Sequence, residues 1–391
     1  VGAARAYRSR TLGTGILGQG WTSSIFQHLR ALPSGDVEYR DGTGEVWLFK
    51  QKDGKREYES PKGFFLKLVR AAQGGWTLQD QRWRITVFDE LGRLISESDE
   101  FVSYDTAKIA AGTSNGNTIR YLYDREGRLA RIVDSVDRVT KLEYWKNDES
   151  SQQGAYPGLL KEIKDWRDRT VRYEYDAKAR LIRVKLPEVS AASSAPSEYT
   201  FTGANRPRIE YEYVDAQLPS STNPGIDPLF KPYLERSGNL TAIKDPDEVA
   251  HTQKARVTFK YGEGADLDRV KEQTWATDEK ATIDYPDSTN TTVTDALGAE
   301  WSYTFSAPDD REKRSQVAIV RVNAAVVEGV ISAAPVQATS SPQTLVTRFA
   351  YNDDGLVKSV THSTEFEETY EYIVAGGGAP GMMLQSIVRH L

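Results

Sequence analysis

Histidines are the side chains of this sequence best suited to acid–base or metal chemistry, and the four of them are dispersed. His28, His251, His362 and His390 have no histidine four residues away and no neighbouring cluster of ligand-type residues. A zinc site or a general base needs several such groups to converge. We therefore predict no metal site and no catalytic site built on histidine.

The segment Gly13–Gly18 has the spacing GxGxxG, which can cradle a dinucleotide phosphate. Such a site also needs a preceding strand, a following helix and a distal acidic residue. Here arginine-rich sequence precedes the glycines and Trp21–Ser24 follows them. We interpret these glycines as turn residues and predict no cofactor.

The remaining catalytic patterns are also missing from the sequence. There is no cysteine, which excludes disulfides, thiol catalysis and cysteine-ligated metals. No serine stands in a GxSxG elbow, and the acidic segments Asp245–Glu248 and Asp309-Asp310 match no calcium-binding motif. We predict that the chain is not an enzyme, with a hydrolase on a β scaffold as the weakest alternative.

Composition indicates a β-rich protein. Among 391 residues there are 20 Tyr, 12 Phe and 8 Trp, residue types that favour strands. The net charge of −6 argues against a nucleic-acid partner, which would require a basic face. Apolar runs such as Val317–Val320 are too short to span a bilayer, so no membrane-spanning segment is expected. The chain starts at Val1 without a signal-peptide pattern, so any export signal is expected outside it.

One octapeptide recurs along the chain and indicates the architecture. It reads FDELGRLI at Phe88–Ile95, YDREGRLA at Tyr123–Ala130, YDAKARLI at Tyr175–Ile182 and, more weakly, YNDDGLVK at Tyr351–Lys358. An aspartate that opens a four-residue turn can accept a backbone hydrogen bond, and glycine at the fourth turn position tolerates a positive φ. The motif therefore predicts a hairpin turn, whose geometry we expect to change where Ala179 replaces the glycine.

The repeat residues are predicted to be structural, with aromatic rings packed in the core and arginines paired with a neighbouring carboxylate. These residues are Phe88, Asp89, Gly92, Arg93, Tyr123, Asp124, Gly127, Arg128, Leu129, Tyr175, Asp176, Arg180, Tyr351 and Gly355.

Aromatic and apolar residues alternate with polar ones on the strands that lead into the turns. Ile119, Tyr121 and Tyr123 share one face, whereas Arg120 lies on the other. This alternation is typical of an antiparallel sheet with one packed face. The repeats are irregularly spaced, which favours a winding strip of hairpins over a rigid solenoid.

The repeat resembles that of the RHS/YD-repeat family, in which an aromatic-rich strand is followed by Tyr-Asp, two variable residues and Gly-Arg-Leu. Tyr123–Leu129 matches this motif fully. Tyr7–Arg10, Gly15–Thr22 and Asp41–Gly44 resemble the segment that precedes the repeats in bacterial members. The resemblance implies an all-β strip of antiparallel hairpins that winds into an open or partial hollow shell. Such shells enclose a C-terminal toxin in bacterial polymorphic toxins or form the body of teneurin-like surface proteins. No Asp-Pro-x-Gly-Leu self-cleavage core occurs here.

We predict two domains from these patterns. Residues 1–83 would form an N-terminal RHS-associated β segment, and residues 84–391 would form the repeat strip. Stretches rich in Ser, Ala and Pro predict loop insertions near 188–235 and 324–344.

The leading hypothesis is a structural shell module of an exported bacterial protein, secreted or at the cell surface. Its partner would be a protein cargo or C-terminal toxin domain, and a second chain could complete the shell. The alternative is a carbohydrate or cell-surface binding module that uses exposed aromatic side chains. The candidate ligand-contact residues lie outside the repeat and are Trp47, Trp76, Trp145 and Trp275.

Overall fold

The computed structural model is almost entirely β, with 56% of residues in strands and 4% in helices. It contains a long antiparallel sheet of 22 strands, which confirms the predicted all-β strip of antiparallel hairpins. The structure describes residues 4–9, 14–52, 55–82, 84–99, 117–189, 206–215, 238–263, 266, 268–306, 317–324, 326–327, 330–331, 343–353, 355–362, 366–374 and 382–390. Most of the insertions predicted near 188–235 and 324–344 lie outside these residues.

The strands are short and follow one another along the chain. The first are β1 (Arg5–Tyr7), β2 (Thr14–Gly15), β3 (Gly18–Gln19), β4 (Trp21–Ser23), β5 (His28–Ala31), β6 (Val37–Arg40), β7 (Val46–Gln51), β8 (Tyr58–Glu59), β9 (Lys67–Arg70) and β10 (Trp76–Gln79). Next come β11 (Ile85–Phe88), β12 (Leu94–Ser98), β13 (Thr118–Tyr123), β14 (Leu129–Val133), β15 (Val139–Tyr144), β16 (Leu160–Lys164), β17 (Thr170–Tyr175), β18 (Leu181–Lys185), β19 (Arg208–Asp215), β20 (Gly238–Lys244) and β21 (Val257–Tyr261). The last are β22 (Val270–Trp275), β23 (Lys280–Asp284), β24 (Asn290–Thr294), β25 (Glu300–Phe305), β26 (Val317–Ala324), β27 (Val326–Val327), β28 (Val330–Ile331), β29 (Gln343–Tyr351), β30 (Val357–His362), β31 (Glu367–Val374) and β32 (Met382–His390).

Helix occurs only as short turns within the described residues, and two of them are described in full. One is a 3₁₀ turn at Asn147–Glu149 and the other a π-type turn at Glu248–Thr252. No described helix is long and apolar enough to cross a membrane.

The chain divides into two compact units. The first comprises Val1–Trp47, Val69–Leu78 and Trp83–Phe259, and the second comprises Leu48–Leu68, Gln79–Arg82 and Lys260–Leu391. The predicted division into residues 1–83 and 84–391 stays a prediction.

In the first unit, strands β11 to β20 pair antiparallel in chain order. The register shifts at an aromatic residue that lies at or near the end of the first strand of a hairpin. Such irregularities increase the local twist and end the regular pairing. The residues at these shifts are Phe88, Tyr123, Tyr144, Tyr175 and Tyr213.

In the second unit, β22 to β26 and β29 to β32 form the same kind of antiparallel meander. The register shifts again at an aromatic residue, here Phe305, Tyr351 and Tyr372. The two units are therefore built by one local rule.

The repeat turn is held by its aspartate. In the turn Asp124–Arg128, the Gly127 amide donates to the Asp124 carbonyl at 3.1 Å and Oδ1 of Asp124 accepts the Arg128 amide at 2.8 Å. Gly127 has φ +78°, the left-handed conformation that glycine adopts most easily. The turn at Asp176 keeps the same hydrogen bonds although Ala179 adopts φ 61°. The expected change of geometry at Ala179 is thus wrong, because the aspartate holds the alanine in the strained conformation.

The glycine turns provide a matched pair of substitutions. At Gly92, an added Cβ would lie 1.9 Å from the Leu29 carbonyl oxygen, whereas at Gly127 the nearest atom would be 3.4 Å away on a flexible arginine. We expect Gly127→Ala to cost about 1 kcal/mol through its positive φ alone. Gly92→Ala should cost at least about 2 kcal/mol more, since overpacking adds to the same strain. Urea unfolding of both variants measures the difference, and equal destabilisation would contradict the contact with Leu29.

Candidate functional site

In three of the four octapeptide copies, the repeat turn is joined to the first strand of the next hairpin by an arginine and a tyrosine. Arg128 bonds Oδ2 of Asp124 through Nε at 2.9 Å, and its guanidinium lies 4.8 Å from the ring centre of Tyr144. The Tyr144 hydroxyl donates to the carbonyl of Leu129 at 2.8 Å. We call this arrangement of aspartate, arginine, tyrosine and carbonyl a stitch.

The stitch recurs in the first unit. Arg93 lies 4.6 Å from the ring centre of Tyr123, and Arg180 lies 5.1 Å from that of Tyr213. Hydroxyl-to-carbonyl bonds of 2.6 to 2.8 Å accompany it throughout. In these two stitches they join Tyr123 to Leu94 and Tyr213 to Leu181. Tyr175 donates to the carbonyl of Leu160 in the same way, and we count it with the stitched tyrosines for this hydrogen bond alone.

The second unit contains the same connections in a less regular form. Arg269 stacks on Tyr285, whose hydroxyl donates to the Val270 carbonyl at 3.0 Å. Tyr351 and Tyr372 donate to the carbonyls of Val317 and Val357 at 2.7 and 2.8 Å. At the fourth sequence copy, Leu356 stands where the other copies have arginine, and its amide still donates to Oδ1 of Asn352.

Several stitch residues could not be recognised from the octapeptide. Tyr144, Tyr213 and Tyr372 are followed by Trp, Val and Ile instead of Asp, so the motif does not match there. Their signal in the sequence is alternation alone, as in Leu-Glu-Tyr and Tyr-Glu-Tyr. Their position at a register shift is what identifies them.

Tryptophan replaces the stitch arginine in two turns of the same shape. Oδ1 of Asp41 accepts the amides of Thr43 and Glu45, and its Oδ2 accepts the indole N–H of Trp47 at 3.1 Å. Asp295 does the same with the indole of Trp301, also at 3.1 Å. An aspartate followed six residues later by tryptophan therefore marks the same type of turn.

The environment of the stitch shifts the pKa of both acidic partners. Burial raises the pKa of the Tyr144, Tyr175 and Tyr213 hydroxyls well above their usual value. Burial also acts to raise the pKa of Asp124, but hydrogen bonds from the backbone and side chain of Arg128 outweigh it, so this pKa is lowered. The tyrosines are thus held neutral and the aspartate charged.

We expect Arg128→Met to destabilise the first unit by about 1–3 kcal/mol, because it removes a charge-assisted hydrogen bond and a cation–π contact. Methionine keeps much of the apolar stem, so packing is retained. Arg131, which is exposed on the neighbouring strand and belongs to no stitch, supplies the matched control Arg131→Met, with an expected change within about 0.5 kcal/mol. Denaturant unfolding should separate the two, and equal effects would contradict the role of the stitch.

The N-terminal hairpin of β1 and β4 packs on the stitched tyrosines of the first unit. The Trp21 indole donates to the Tyr213 hydroxyl at 2.8 Å, and its ring centre lies 4.7 Å from that of Tyr211. The Tyr7 hydroxyl donates to the Gly238 carbonyl and accepts the amide of Leu240. This long-range cover leaves Trp21 only 7% exposed.

The four predicted ligand-contact tryptophans lie in different environments. Trp76 and Trp145 are buried, with exposed fractions of 4% and 1%, so in this structure neither ring is open to a ligand. Trp145 donates its indole N–H to the Tyr173 carbonyl at 3.1 Å and lies against Lys161. Trp47 and Trp275 are half-buried, and ligand contact by these two residues stays a prediction.

An exposed tryptophan that the sequence analysis did not select lies at the tip of the turn Asp165–Arg169. Trp166 is 47% exposed and lies 4.4 Å from the guanidinium of Arg167 and 5.4 Å from that of Arg138. Its local sequence, with Asp165 one residue before it and Arg169 three residues after it, has the aspartate and arginine of the repeat turn, and this signal could have identified it. Its exposure follows from its position in the turn itself.

The dispersed histidines stay separate in the structure. His251 lies 2.9 Å from Asp247 in an exposed turn, and His362 lies beside Phe366. Among the described residues, no three His, Asp or Glu side chains are grouped so that they could hold a metal ion.

No protein-family model matches this chain, and no curated protein matches it. Among solved structures, the chain is similar to the TcdB2-TccC3 structure at 11% identity and a TM-score of 0.36, covering 100% of this chain and 20% of that one. The structure of the Photorhabdus luminescens Tc holotoxin pore aligns at 10% identity and a TM-score of 0.35, covering 96% and 19%. The N-terminal domain of the effector SpvB from Salmonella typhimurium strain LT2 aligns at 11% identity and a TM-score of 0.20, covering 100% and 93%. The chain spans about a fifth of the length of the first two structures.

Proposed function

We propose that this chain is a structural wall module of an exported bacterial RHS-type protein that encloses or displays a partner polypeptide, such as a toxin domain. The observation that carries the proposal is the stitch. The aspartate, arginine and tyrosine of the repeat bond one another and the backbone, as Asp124, Arg128 and Tyr144 do. Their role is to hold successive hairpins together, and this role is architectural and not enzymatic.

The stitch also suits a wall mechanically. An antiparallel meander has backbone pairing across every seam, and each stitch adds a side-chain connection at the end of the seam, where pairing becomes irregular. The buried hydroxyl of Tyr175 bonds the Leu160 carbonyl at 2.8 Å at such a place. A sheet reinforced in this way resists local opening, which a wall around an unfolded cargo requires.

Protease protection tests the proposal. An unfolded tracer polypeptide is fused after Leu391, and the intact fusion is digested with a nonspecific protease. The tracer should survive longer than the same tracer fused to a small soluble domain. The double variant Arg128→Met/Arg180→Met, which removes two stitches, should restore digestion, whereas Arg131→Met should not. An equal rate of tracer digestion in both fusions would contradict the proposal.

Carbohydrate binding is the second candidate, and the exposure of Trp166 favours it. An exposed indole beside Arg138 and Arg167 offers an aromatic surface and hydrogen-bond donors to a sugar. A glycan array probed with the protein tests this idea. Binding that disappears in Trp166→Ala but persists in Leu91→Ala, at a 74% exposed residue of another repeat turn, supports it, and the absence of any glycan signal counts against it.

A further inference from the structure

The two faces of the sheet in the second unit differ in polarity. One face, which we call the tyrosine face, presents residues that oppose one another across β25, β26 and β29 to β32. It comprises Trp301, Tyr303, Phe305, Val320, Val322, Leu345, Thr347, Phe349, Tyr351, Val360, His362, Glu368, Tyr370, Tyr372, Leu384, Ile387 and Arg389. The opposite face is mostly polar. It includes Ser302, Thr304, Arg321, Arg348, Ser359, Thr361, Thr369, Glu371 and Ser386, with Ile319, Val346 and Val388 as apolar residues among them.

The tyrosine face of the second unit is apolar but only half-buried. Tyr303 and Tyr370 are of intermediate exposure, and Leu384 and Ile387 are 50% and 45% exposed. One ion pair, Glu368 with Arg389 at 2.8 Å, interrupts the apolar surface. Contiguous exposed apolar surface of this kind marks an interaction site in soluble proteins.

The first unit shows which kind of polypeptide segment packs on such a face. There, the hairpin of β1 and β4 lies on the face that carries Tyr211 and Tyr213, which we call the tyrosine face of the first unit, and it buries Tyr211 to 6% exposure. Its contacts combine aromatic packing with donors to tyrosine oxygens, since Trp21 and Arg5 donate to the hydroxyls of Tyr213 and Tyr211. A stitched tyrosine donates its hydroxyl proton to a backbone carbonyl, so its hydroxyl oxygen can still accept a hydrogen bond from another group.

The same acceptors are present in the second unit. Tyr351 and Tyr372 donate to the carbonyls of Val317 and Val357, which leaves their oxygens able to accept a hydrogen bond. A ligand suited to this face therefore brings apolar or aromatic surface together with N–H donors from Trp, Arg or the backbone.

We propose that the tyrosine face of the second unit is a docking surface for an extended polypeptide segment that carries aromatic and arginine side chains. This inference rests on the proposed function, because the segment would belong to the enclosed or displayed partner. We expect this segment to make the same kinds of contact that the hairpin of β1 and β4 makes in the first unit.

Site-specific photo-crosslinking tests this proposal. p-Benzoylphenylalanine is placed at Tyr303 or Tyr370 on the tyrosine face and, as matched controls, at Arg348 or Glu371 on the opposite face. The probe is a labelled synthetic peptide with the sequence of residues 4–25. We expect the peptide to crosslink from the tyrosine-face positions only. A peptide carrying Arg5→Ser, Tyr7→Ser and Trp21→Ser should crosslink about tenfold less, because its aromatic contacts are gone.

Every other outcome overturns the inference. Equal crosslinking from both faces indicates nonspecific adhesion, and its absence at Tyr303 and Tyr370 indicates a face closed to peptides. A crosslinked dimer would assign the face to a second copy, and an internal crosslink would assign it to a segment of this chain. The protease experiment remains separate, since a protected tracer without peptide crosslinking removes the docking surface and leaves the proposed function standing.

Discussion

Raising the pH from 9 to 11 should lower the free energy of unfolding by about 5–6 kcal/mol through four stitched tyrosines alone. These are Tyr123, Tyr144, Tyr175 and Tyr213, and burial raises the pKa of each above its usual value. An unfolded tyrosine loses its proton near pH 10, whereas the folded one keeps it. The stabilisation is therefore complete below pH 10 and is lost as the pH rises towards the folded pKa.

Urea unfolding at pH 9, 10 and 11 measures this effect. Because lysines titrate in the same pH range, one substitution is needed to separate the contribution of the tyrosines from that of the lysines. Tyr175→Phe removes a buried hydroxyl that donates to the Leu160 carbonyl. It should cost about 1–2 kcal/mol at pH 8. It should also reduce the loss between pH 10 and 11 by about 1 kcal/mol, the contribution of one titrating group. A pH dependence that is unchanged in Tyr175→Phe would rule out the stitched tyrosines as its cause.

The hairpins could be predicted from the sequence because the residues that form each turn are close together along the chain. The turn contacts of Asp124, Gly127 and Arg128 all lie within five consecutive residues, so a short sequence motif is enough to predict the turn. The alternation of Ile119, Tyr121 and Tyr123 likewise needs only neighbouring residues. The all-β meander follows from repeating these two patterns along the chain.

The stitch itself could not be predicted, because its partners are separated by variable loops. Arg93 contacts Tyr123 across 30 residues, Arg128 contacts Tyr144 across 16, and Arg180 contacts Tyr213 across 33. The arginine was expected to pair with a nearby carboxylate, and its second contact, with a ring, depends on which strand comes next in the sheet. That order is a property of the fold and not of the local sequence.

The candidate ligand-contact tryptophans were those outside the octapeptide, and this criterion does not separate exposed rings from buried ones. Trp145 lies outside the repeat yet is 1% exposed, because Lys161 and the neighbouring strand cover it. Trp166 sits in a turn that differs from the repeat only by an aspartate in place of glycine, and it is 47% exposed. The burial of Trp145 depends on tertiary contacts that the octapeptide does not contain, whereas Trp166 is exposed because it lies at the tip of a turn.

The packing of Trp21, which contacts Tyr213 across 192 residues of sequence, should be the most costly of these contacts to remove. Trp21→Ala is expected to destabilise the protein by about 3–5 kcal/mol, the range for deleting a buried aromatic side chain. The substitution removes packing against Tyr7 and Tyr211 and leaves the Tyr213 hydroxyl without its indole donor. Denaturant unfolding measures the loss, and limited proteolysis should show earlier cleavage within residues 1–25.

Three further variants, compared with Trp21→Ala, test whether the hairpin of β1 and β4 is an integral part of the fold. Tyr213→Phe keeps the ring and removes the hydroxyl, which accepts from the Trp21 indole at 2.8 Å and donates to the Leu181 carbonyl at 2.6 Å, so it should cost about 1–3 kcal/mol. The double variant Trp21→Ala/Tyr213→Phe should then cost less than the sum of the two single variants, since both remove the same bond. Trp275→Ala, at a half-buried ring of the second unit, controls for the loss of any tryptophan and should cost less than Trp21→Ala. If Trp21→Ala instead leaves stability unchanged while the hairpin becomes protease-sensitive, the tyrosine face of the first unit is stable without its cover, and the cover is exchangeable with another segment of the same chemistry.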